Sequence, residues 1–338
     1  MESTPKFSLI ICTYLRANPL LNLLESVKNQ SLYPNEILII DGSTNDETKL
    51  MLENHSFKNL GYYQVTTENR GLTKQRNFGI DKVSEWSEIV CFLDDDTNLD
   101  INYFSELLQT YLQYPDALGV GGYINNETKW VEVDKNYRPK SSEFYYDGWK
   151  RNEGSRFILR KKLGLDSNQP PCFMPEFSHG RSVSFLPPSG KVYEVQQFMG
   201  GVASFRKSVF EIIQFSTYFE GYGLYEDADF TLRLSNHGKL YLNTKATLGH
   251  FHDGSGRPNK FLYGKMVIRN GWYVWRVKYP NPSFVAQLKW NTIAFLLTAI
   301  RLSNALTSNN KKAAFTESLG RISGWFSLWF DAPKIQKT

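Results

Sequence analysis

The chain of 338 residues is 41% apolar and 22% charged, ordinary for a globular protein and long enough for about two domains. That composition excludes a disordered tail protein and a collagen-like fibre, and with no self-similar period the chain is not a simple repeat. The net charge of +5 is too mild to argue for nucleic acid, but its distribution is uneven: residues 259–338 carry +10 and the preceding ones −5. A slightly acidic body followed by a basic, aromatic tail implies an anionic partner surface, with lipid ahead of nucleic acid, for which no recognised module is present.

The apolar run 7–14 predicts a buried strand. Asn18 and Pro19 predict the cap and first position of a helix that continues through Leu20, Leu23, Leu24 and Val27 to about residue 30. A second strand over 36–40 ends in Asp41-Gly42-Ser43 and precedes a helix to about residue 53. A third strand is predicted over 62–65, a helix over 73–83, and a fourth buried strand over 88–93 that stops abruptly at Asp94-Asp95-Asp96. The following helix carries Ile101, Phe104, Leu108 and Tyr111. This alternation implies an α/β fold with a parallel sheet buried on both faces, whose functional groups gather at the carboxyl ends of the strands. Tyr14, Asp41 and the three aspartates all sit at such ends. The first turn, in IICTYLRANPLL, lacks glycine and no P-loop occurs anywhere, which disfavours dinucleotide-dependent hydride transfer and P-loop phosphoryl transfer.

Residues 131–195 are polar and punctuated by Pro170-Pro171 and Pro187-Pro188, and are read as an irregular insertion serving as a lid or acceptor wall. Strand character resumes over 195–205, around Gly200-Gly201, and a short helix is predicted near 207–214. The segment FEGYGLYEDADFTLRLSNHG predicts a helix over 226–237 closed by Gly238. From residue 259 the chain reads as helical, with Phe315, Leu319, Ile322, Phe326 and Trp329 on one face. Cys12, Cys91 and Cys172 have neither zinc-site nor disulfide spacing, which together with a start lacking a basic leader suggests a reduced, cytoplasmic protein. The apolar stretch 290–300 is 11 residues long against the ~20 a bilayer requires, so a peripheral rather than integral relation to a membrane is expected.

Three clusters carry chemistry. Asp94, Asp95 and Asp96 repel one another after a buried strand, and a divalent cation with oxygen ligands relieves that; the same acids would also suit a helix cap. Glu226 and Asp227, with Asp229 after them, can present a base at a helix start, where the helix dipole alone would also favour acids. His250 and His252, after the strand-like ATLG, could complete a metal shell begun by Asp96.

In this order the segments FSLIICTYLR, EILIIDGSTND, ENRGLTKQRNFGI, CFLDDDT, GGVASFRKSVF and EGYGLYEDADFTLRLSNHG resemble glycosyltransferase family 2, the inverting nucleotide-sugar enzymes of GT-A fold, over roughly residues 7–253. The resemblance implies a Rossmann-like, mixed and mostly parallel sheet flanked by helices. It implies a catalytic domain over 1–258, divided into a nucleotide-binding half (1–130) and an acceptor half (131–258), and a helical tail over 259–338. Thr13, Tyr14 and Asp41 would contact base and ribose, Arg76 the base or phosphates, and Asp94 the ribose, with Asp95 and Gly201 in the same nucleotide-sugar set. Asp96, with His250 or His252, would hold Mn2+ or Mg2+, and Asp227 would be the general base, oriented by Glu226. The donor would be a UDP-, GDP- or dTDP-sugar and the acceptor a glycan or a lipid-linked hydroxyl, in cell-surface polysaccharide synthesis.

The tail holds five of the eight tryptophans, Trp272, Trp275, Trp290, Trp325 and Trp329. Two readings follow: a basic amphipathic surface on the inner face of the cell membrane, or packing onto the catalytic domain or a second subunit in a homodimer. Competing assignments are a sugar-nucleotide nucleotidyltransferase, which would carry a Gly-rich loop after the first strand, and a non-catalytic carbohydrate-binding protein, which would give no reason for two carboxylate clusters.

Overall fold

The structure is a computed structural model and describes residues 4–219, 221–251 and 258–335. The chain divides into two compact units, Met1–Lys129 with Ser182–Gly256, and Trp130–Arg181 with Arg257–Thr338. The segment expected to form the acceptor half is thus shared between them.

The first unit opens as β1 (Phe7–Thr13), α1 (Ala17–Lys28), β2 (Glu36–Asp41), α2 (Glu47–Glu53), β3 (Leu60–Gln64), α3 (Leu72–Ile80) and β4 (Ile89–Asp94). It continues with β5 (Thr97–Leu99), α4 (Tyr103–Gln113) and β6 (Ala117–Ile124). The second unit contributes β7 (Val131–Glu132), β8 (Glu143–Tyr146), β9 (Trp149–Asn152) and α5 (Ser155–Lys162). The first unit resumes with β10 (Val192–Val195), β11 (Val202–Arg206), α6 (Val209–Ile212), α7 (Glu226–Leu234) and β12 (Lys239–His250). The second unit closes with α8 (Lys260–Lys278), α9 (Phe284–Thr307) and α10 (Lys311–Phe330).

Among the described residues the first unit holds a mixed, mostly parallel sheet in the order β10-β12-β6-β11-β4-β1-β2-β3, with β5 added on β12. β1, β2, β3 and β4 run parallel, β11 runs antiparallel between β4 and β6, and β12 runs parallel to β6. Alternation along β1 divides its apolar side chains between two faces. Phe7, Leu9 and Ile11 pack with Leu20, Leu24, Phe104 and Leu108 of α1 and α4 in one core. On the other face Ile10 lies so close to Gly79 of α3 that a Cβ there would fall 2.9 Å from it.

Three local expectations are corrected. The helix α1 begins at Ala17 with Arg16 as its cap, and Pro19 falls within the first turn, where its missing N–H leaves nothing unpaired. The cause is Leu15, held at φ 56° while its N–H donates to Ser43 Oγ, which turns the chain before Asn18 is reached. Ile101 precedes α4 and is exposed. Finally, α7 ends at Leu234, before Gly238.

In the second unit β7, β9 and β8 form a small antiparallel sheet, with Asp147 and Gly148 at φ 48° and 82° closing the β8–β9 hairpin. Helices α8 and α10 meet at glycines: a Cβ on Gly264 would fall 2.1 Å from Glu317 O, and one on Gly320 2.0 Å from Phe261 O. Trp290 of α9 stacks on Trp275 of α8 at 5.2 Å between ring centres.

Candidate active site

The register of the parallel strands assembles one edge of the site. Thr13 lies beside Asp41 and Cys12 beside Asp94, so the carboxyl ends of β1, β2 and β4 stand in line. Gln75 of α3 ties two of them by donating to Thr13 O (3.1 Å) and Ile40 O (2.8 Å). Asp41 is fully buried and accepts from Ser43 N–H (2.7 Å) and from the Tyr62 hydroxyl (2.9 Å). Burial, and then Asp41 itself, pushes the Tyr62 phenol up, so it remains the donor of that pair. Tyr14 is exposed at the strand end.

After Asp94 the chain turns and the three aspartates separate. Asp95 points inward, accepting from Thr13 Oγ1 (2.7 Å) and Arg16 Nη1 (3.0 Å); burial pushes its carboxyl up to about 6 against the pull of Arg16 and Thr13. Asp96 is buried and faces Arg16 at 3.5 Å and His250 Nε2 at 3.0 Å. The antiparallel pairing of β12 with β5 sets His250 opposite Thr97 and so beside Asp96. The other ring nitrogen of His250 meets Glu127 Oε1 at 3.2 Å. Burial opposes charge on the ring, but Asp96, Glu127 and Asp94 outweigh it and raise His250 to about 10. His252 lies outside the described residues.

Asp94, Asp96 and His250 can each offer a ligand atom, all within 4.8 Å of one another. Two carboxylates and an imidazole with a carboxylate on its far nitrogen suit a divalent cation. Asp94 also meets a buried cation. Arg76, buried on α3, reaches Asp94 Oδ1 at 3.5 Å with one nitrogen and pairs with Glu226 Oε1 through the other. Burial works against the guanidinium charge, and Glu226 and Asp94 more than restore it, so Arg76 remains a cation. Burial pushes the Glu226 carboxyl up to about 8 against the pull of Arg76, and Glu226 Oε2 is buried with no hydrogen-bond partner among the described residues.

Asp227 follows on the first turn of α7, half-buried, with Oδ1 accepting from Ala228 N–H (2.8 Å) and Oδ2 from Gly200 N–H at 3.4 Å. Burial raises it and those two N–H groups with Arg76 hold it down. Gly201 closes the ring: its carbonyl accepts from Asp94 N–H at 3.0 Å, and a Cβ at this position would fall 2.0 Å from Asp94 Oδ2. Thus Asp94, Asp96, His250, Arg76, Glu226, Asp227 and Gly201 come together. Thr13 joins through Asp95, while Asp41 stands one strand away, within its own hydrogen-bonded corner.

Four contributors went unread in the sequence: Arg16, Gln75, Tyr62 and Glu127. Arg16 stands at the end of the first predicted turn and Tyr62 opens the third predicted strand, so each had a positional signal. Glu127, in the polar stretch INNETK, has none.

Residues 8–176 match the family model described as glycosyl transferase family 2. The chain is 27% identical over 143 residues to a glucosyl-dolichyl phosphate glucuronosyltransferase of Haloferax volcanii, covering 42% of this chain and 44% of that protein. It is 32% identical over 107 residues to a GalNAc(5)-diNAcBac-PP-undecaprenol beta-1,3-glucosyltransferase of Campylobacter jejuni, covering 31% and 34%. The aligned part therefore spans less than half the length of these curated relatives. A crystal structure of GalNAc-T7 with UDP, GalNAc and Mn2+ superimposes on 99% of this chain and 60% of that one with a TM-score of 0.50 at 15% identity, a likeness of fold.

Proposed function

The chain belongs to glycosyl transferase family 2, and from that premise we propose that it moves a sugar, with inversion, from a nucleoside-diphosphate sugar to a hydroxyl of a glycan or lipid-linked acceptor. One observation carries the reading: a single buried guanidinium, Arg76, touches both Asp94 of the Asp94–Asp96–His250 cluster and Glu226 beside Asp227. Candidate cation ligands and a candidate base are thereby neighbours, as direct displacement at an anomeric carbon needs.

In this reading Asp41, with Thr13 and Tyr14, receives the base and ribose of a UDP-, GDP- or dTDP-sugar, and Asp94 with Gly201 borders the ribose and diphosphate. Asp95 acts through Thr13 and Arg16, which it holds in place. Asp96, His250 and Asp94 would hold Mn2+ or Mg2+, which would supply positive charge against a diphosphate leaving group. Asp227 takes the proton of the acceptor hydroxyl as that oxygen bonds to the anomeric carbon and the nucleoside diphosphate leaves with the electron pair of the broken bond. Glu226, fixed by Arg76, borders Asp227 and orients it. Cys12, in register with Asp94, is pushed up to about 12 by burial and so stays a neutral thiol.

The two relatives are named for dolichyl- and undecaprenol-linked substrates, which supports a lipid-linked acceptor in glycan assembly. Three free cysteines, two of them buried, suit a reducing compartment, and we assign the reaction to the cytoplasmic side of the membrane. The test is sugar release from a panel of UDP-, GDP- and dTDP-sugars by the full chain, with divalent cation and with chelator. Release from one donor class, lost on chelation and in Asp96→Ala, supports the assignment; release that survives both refutes it.

A further inference from the structure

Two helices of the second unit bury one face and leave the opposite face apolar and open. Along α9, Ala286, Trp290, Ile293 and Ala294 are buried. Phe284, Leu288, Phe295, Leu302 and Leu306 stand in solvent, with Phe284 and Leu306 79% exposed. At 3.6 residues per turn these five fall on one line opposite the buried one. The charges of this helix, Lys289 and Arg301, lie off that line. The next helix repeats the design: α10 buries Ala314, Ser318, Gly320 and Gly324 and exposes Phe315, Leu319, Ile322, Phe326, Trp329 and Phe330, the last at 88%. An ordinary surface helix is polar outward, so two adjacent apolar stripes of this length mark a contact surface.

Charge selects the partner. Lys311 and Lys312 are exposed at the start of α10. The carboxylates among the described residues of 258–335 are both matched internally: Glu317 is buried between Arg301 and Arg321, and Asp331 pairs with Arg269. A second copy of the chain would bring a segment of +10 against its like, and the one exposed carboxylate beside the stripes among the described residues, Asp331, is already paired with Arg269. A bilayer containing anionic lipid supplies hydrocarbon for the rings and phosphates for the lysines. No helix among the described residues is long and apolar enough to cross a membrane, and the stripes run along the sides of their helices.

We propose that the exposed stripes of α9 and α10 dock the protein on an anionic membrane surface, lying in the interface with Phe284, Phe295, Leu306, Phe326, Trp329 and Phe330 inserted. This goes beyond the transfer reaction and stands independently of it. The experiment is flotation of the full chain with phosphatidylcholine vesicles, with and without about one-third phosphatidylglycerol, at low and high salt. The expected result is flotation that depends on phosphatidylglycerol and weakens with salt. Phe295→Ser with Leu306→Ser, and separately Phe326→Ser with Trp329→Ser, should each lower partitioning by roughly tenfold. Lys311→Glu with Lys312→Glu should remove the preference for phosphatidylglycerol. These positions are exposed, and unchanged circular dichroism and unchanged donor hydrolysis would show the fold intact. If hydrolysis is absent from every form while flotation still follows the stripes, the docking surface holds and only the assigned reaction fails. Absence of flotation by the unaltered chain, or equal flotation of the serine variants, overturns the proposal. So does light scattering that shows a dimer dissolved by those variants without vesicle binding, since the face would then belong to a second copy.

Discussion

Replacing Gly201 by alanine tests how closely the Asp94 carboxylate is confined. The new Cβ would lie 2.0 Å from Asp94 Oδ2 and 2.1 Å from its Cγ, where ordinary contact begins at 3.4 Å, so a displacement of about 1.4 Å is required. The backbones cannot part without losing the Asp94 N–H bond to Gly201 O. The relief available is rotation of the half-buried Asp94 side chain, which takes it away from Arg76 and from the cluster with Asp96 and His250. A displacement of about 1 Å at a reacting centre can cost about 100-fold in rate, or about 2.7 kcal/mol of barrier. Overpacking costs about 1–3 kcal/mol of stability, and the low end applies because the carboxylate can turn toward solvent. Gly154→Ala is the control, with a φ of −67° and nothing within 4 Å of the added carbon. Donor hydrolysis at saturating Mn2+ and denaturant unfolding should be measured on both full-length variants. Gly201→Ala should lose about two orders of magnitude in rate with a stability loss near 1 kcal/mol, and Gly154→Ala neither. A Gly201→Ala enzyme within about threefold of the parent rate would refute the claim that Asp94 must occupy this position.

Asp227→Asn should lower transfer by about 100-fold or more while calorimetry finds donor affinity nearly unchanged; donor affinity lost in step with transfer would deny Asp227 the role of base. Glu127→Gln should weaken Mn2+ affinity by roughly tenfold, because Glu127 sets the ring of His250, and unchanged affinity would leave that contact without function. Tyr62→Phe should raise the donor KM by about fivefold with kcat preserved, since it removes the hydroxyl holding Asp41; an effect on kcat alone would contradict a donor-binding corner. Glu226 keeps its proton to about pH 8 in the folded protein and to its ordinary 4.5 when unfolded, so its contribution to stability is complete on the acid side and is lost as pH rises through that window. Glu226→Gln should flatten this fall in denaturant midpoints between pH 5 and 8, and an unaltered slope would show that another group sets it.

Continuous apolar runs made β1, β2 and β4 readable, and the abrupt stop at Asp94 marked the site, because a strand covered on both faces has no room for such a cluster except at its end. β6 was not readable. Gly119, Gly121 and Gly122 interrupt its pattern, and they are there because the rings of Phe205, Phe198 and Tyr103 lie within 2.7 Å of where their Cβ atoms would be. The choice of His250 beside Asp96 depended on the pairing of β5 with β12, and three residues give too short a run to predict a strand. Glu127 reaches that histidine across 123 positions of chain, with no local pattern to announce it. The spacing of Phe315, Leu319, Ile322, Phe326 and Trp329 was plain, but a helical period says which residues share a face and not whether that face is buried. Here Gly320 and Gly324 make the close contact with α8, Ala314 is buried, and the aromatic side is left outside.

In the proposed reaction Asp96, His250 and Asp94 would hold a divalent cation against the donor diphosphate, with Asp227 facing the sugar. A crystal of the full chain grown with Mn2+ and a hydrolysis-resistant UDP-sugar tests it most directly. The expected result is anomalous density for manganese bonded to Asp96 and His250 and to diphosphate oxygens, with the Asp227 carboxylate on the side of the anomeric carbon away from the diphosphate. Manganese bound elsewhere while the nucleotide occupies the ends of β1, β2 and β4, or Asp227 turned away from the sugar, would contradict it.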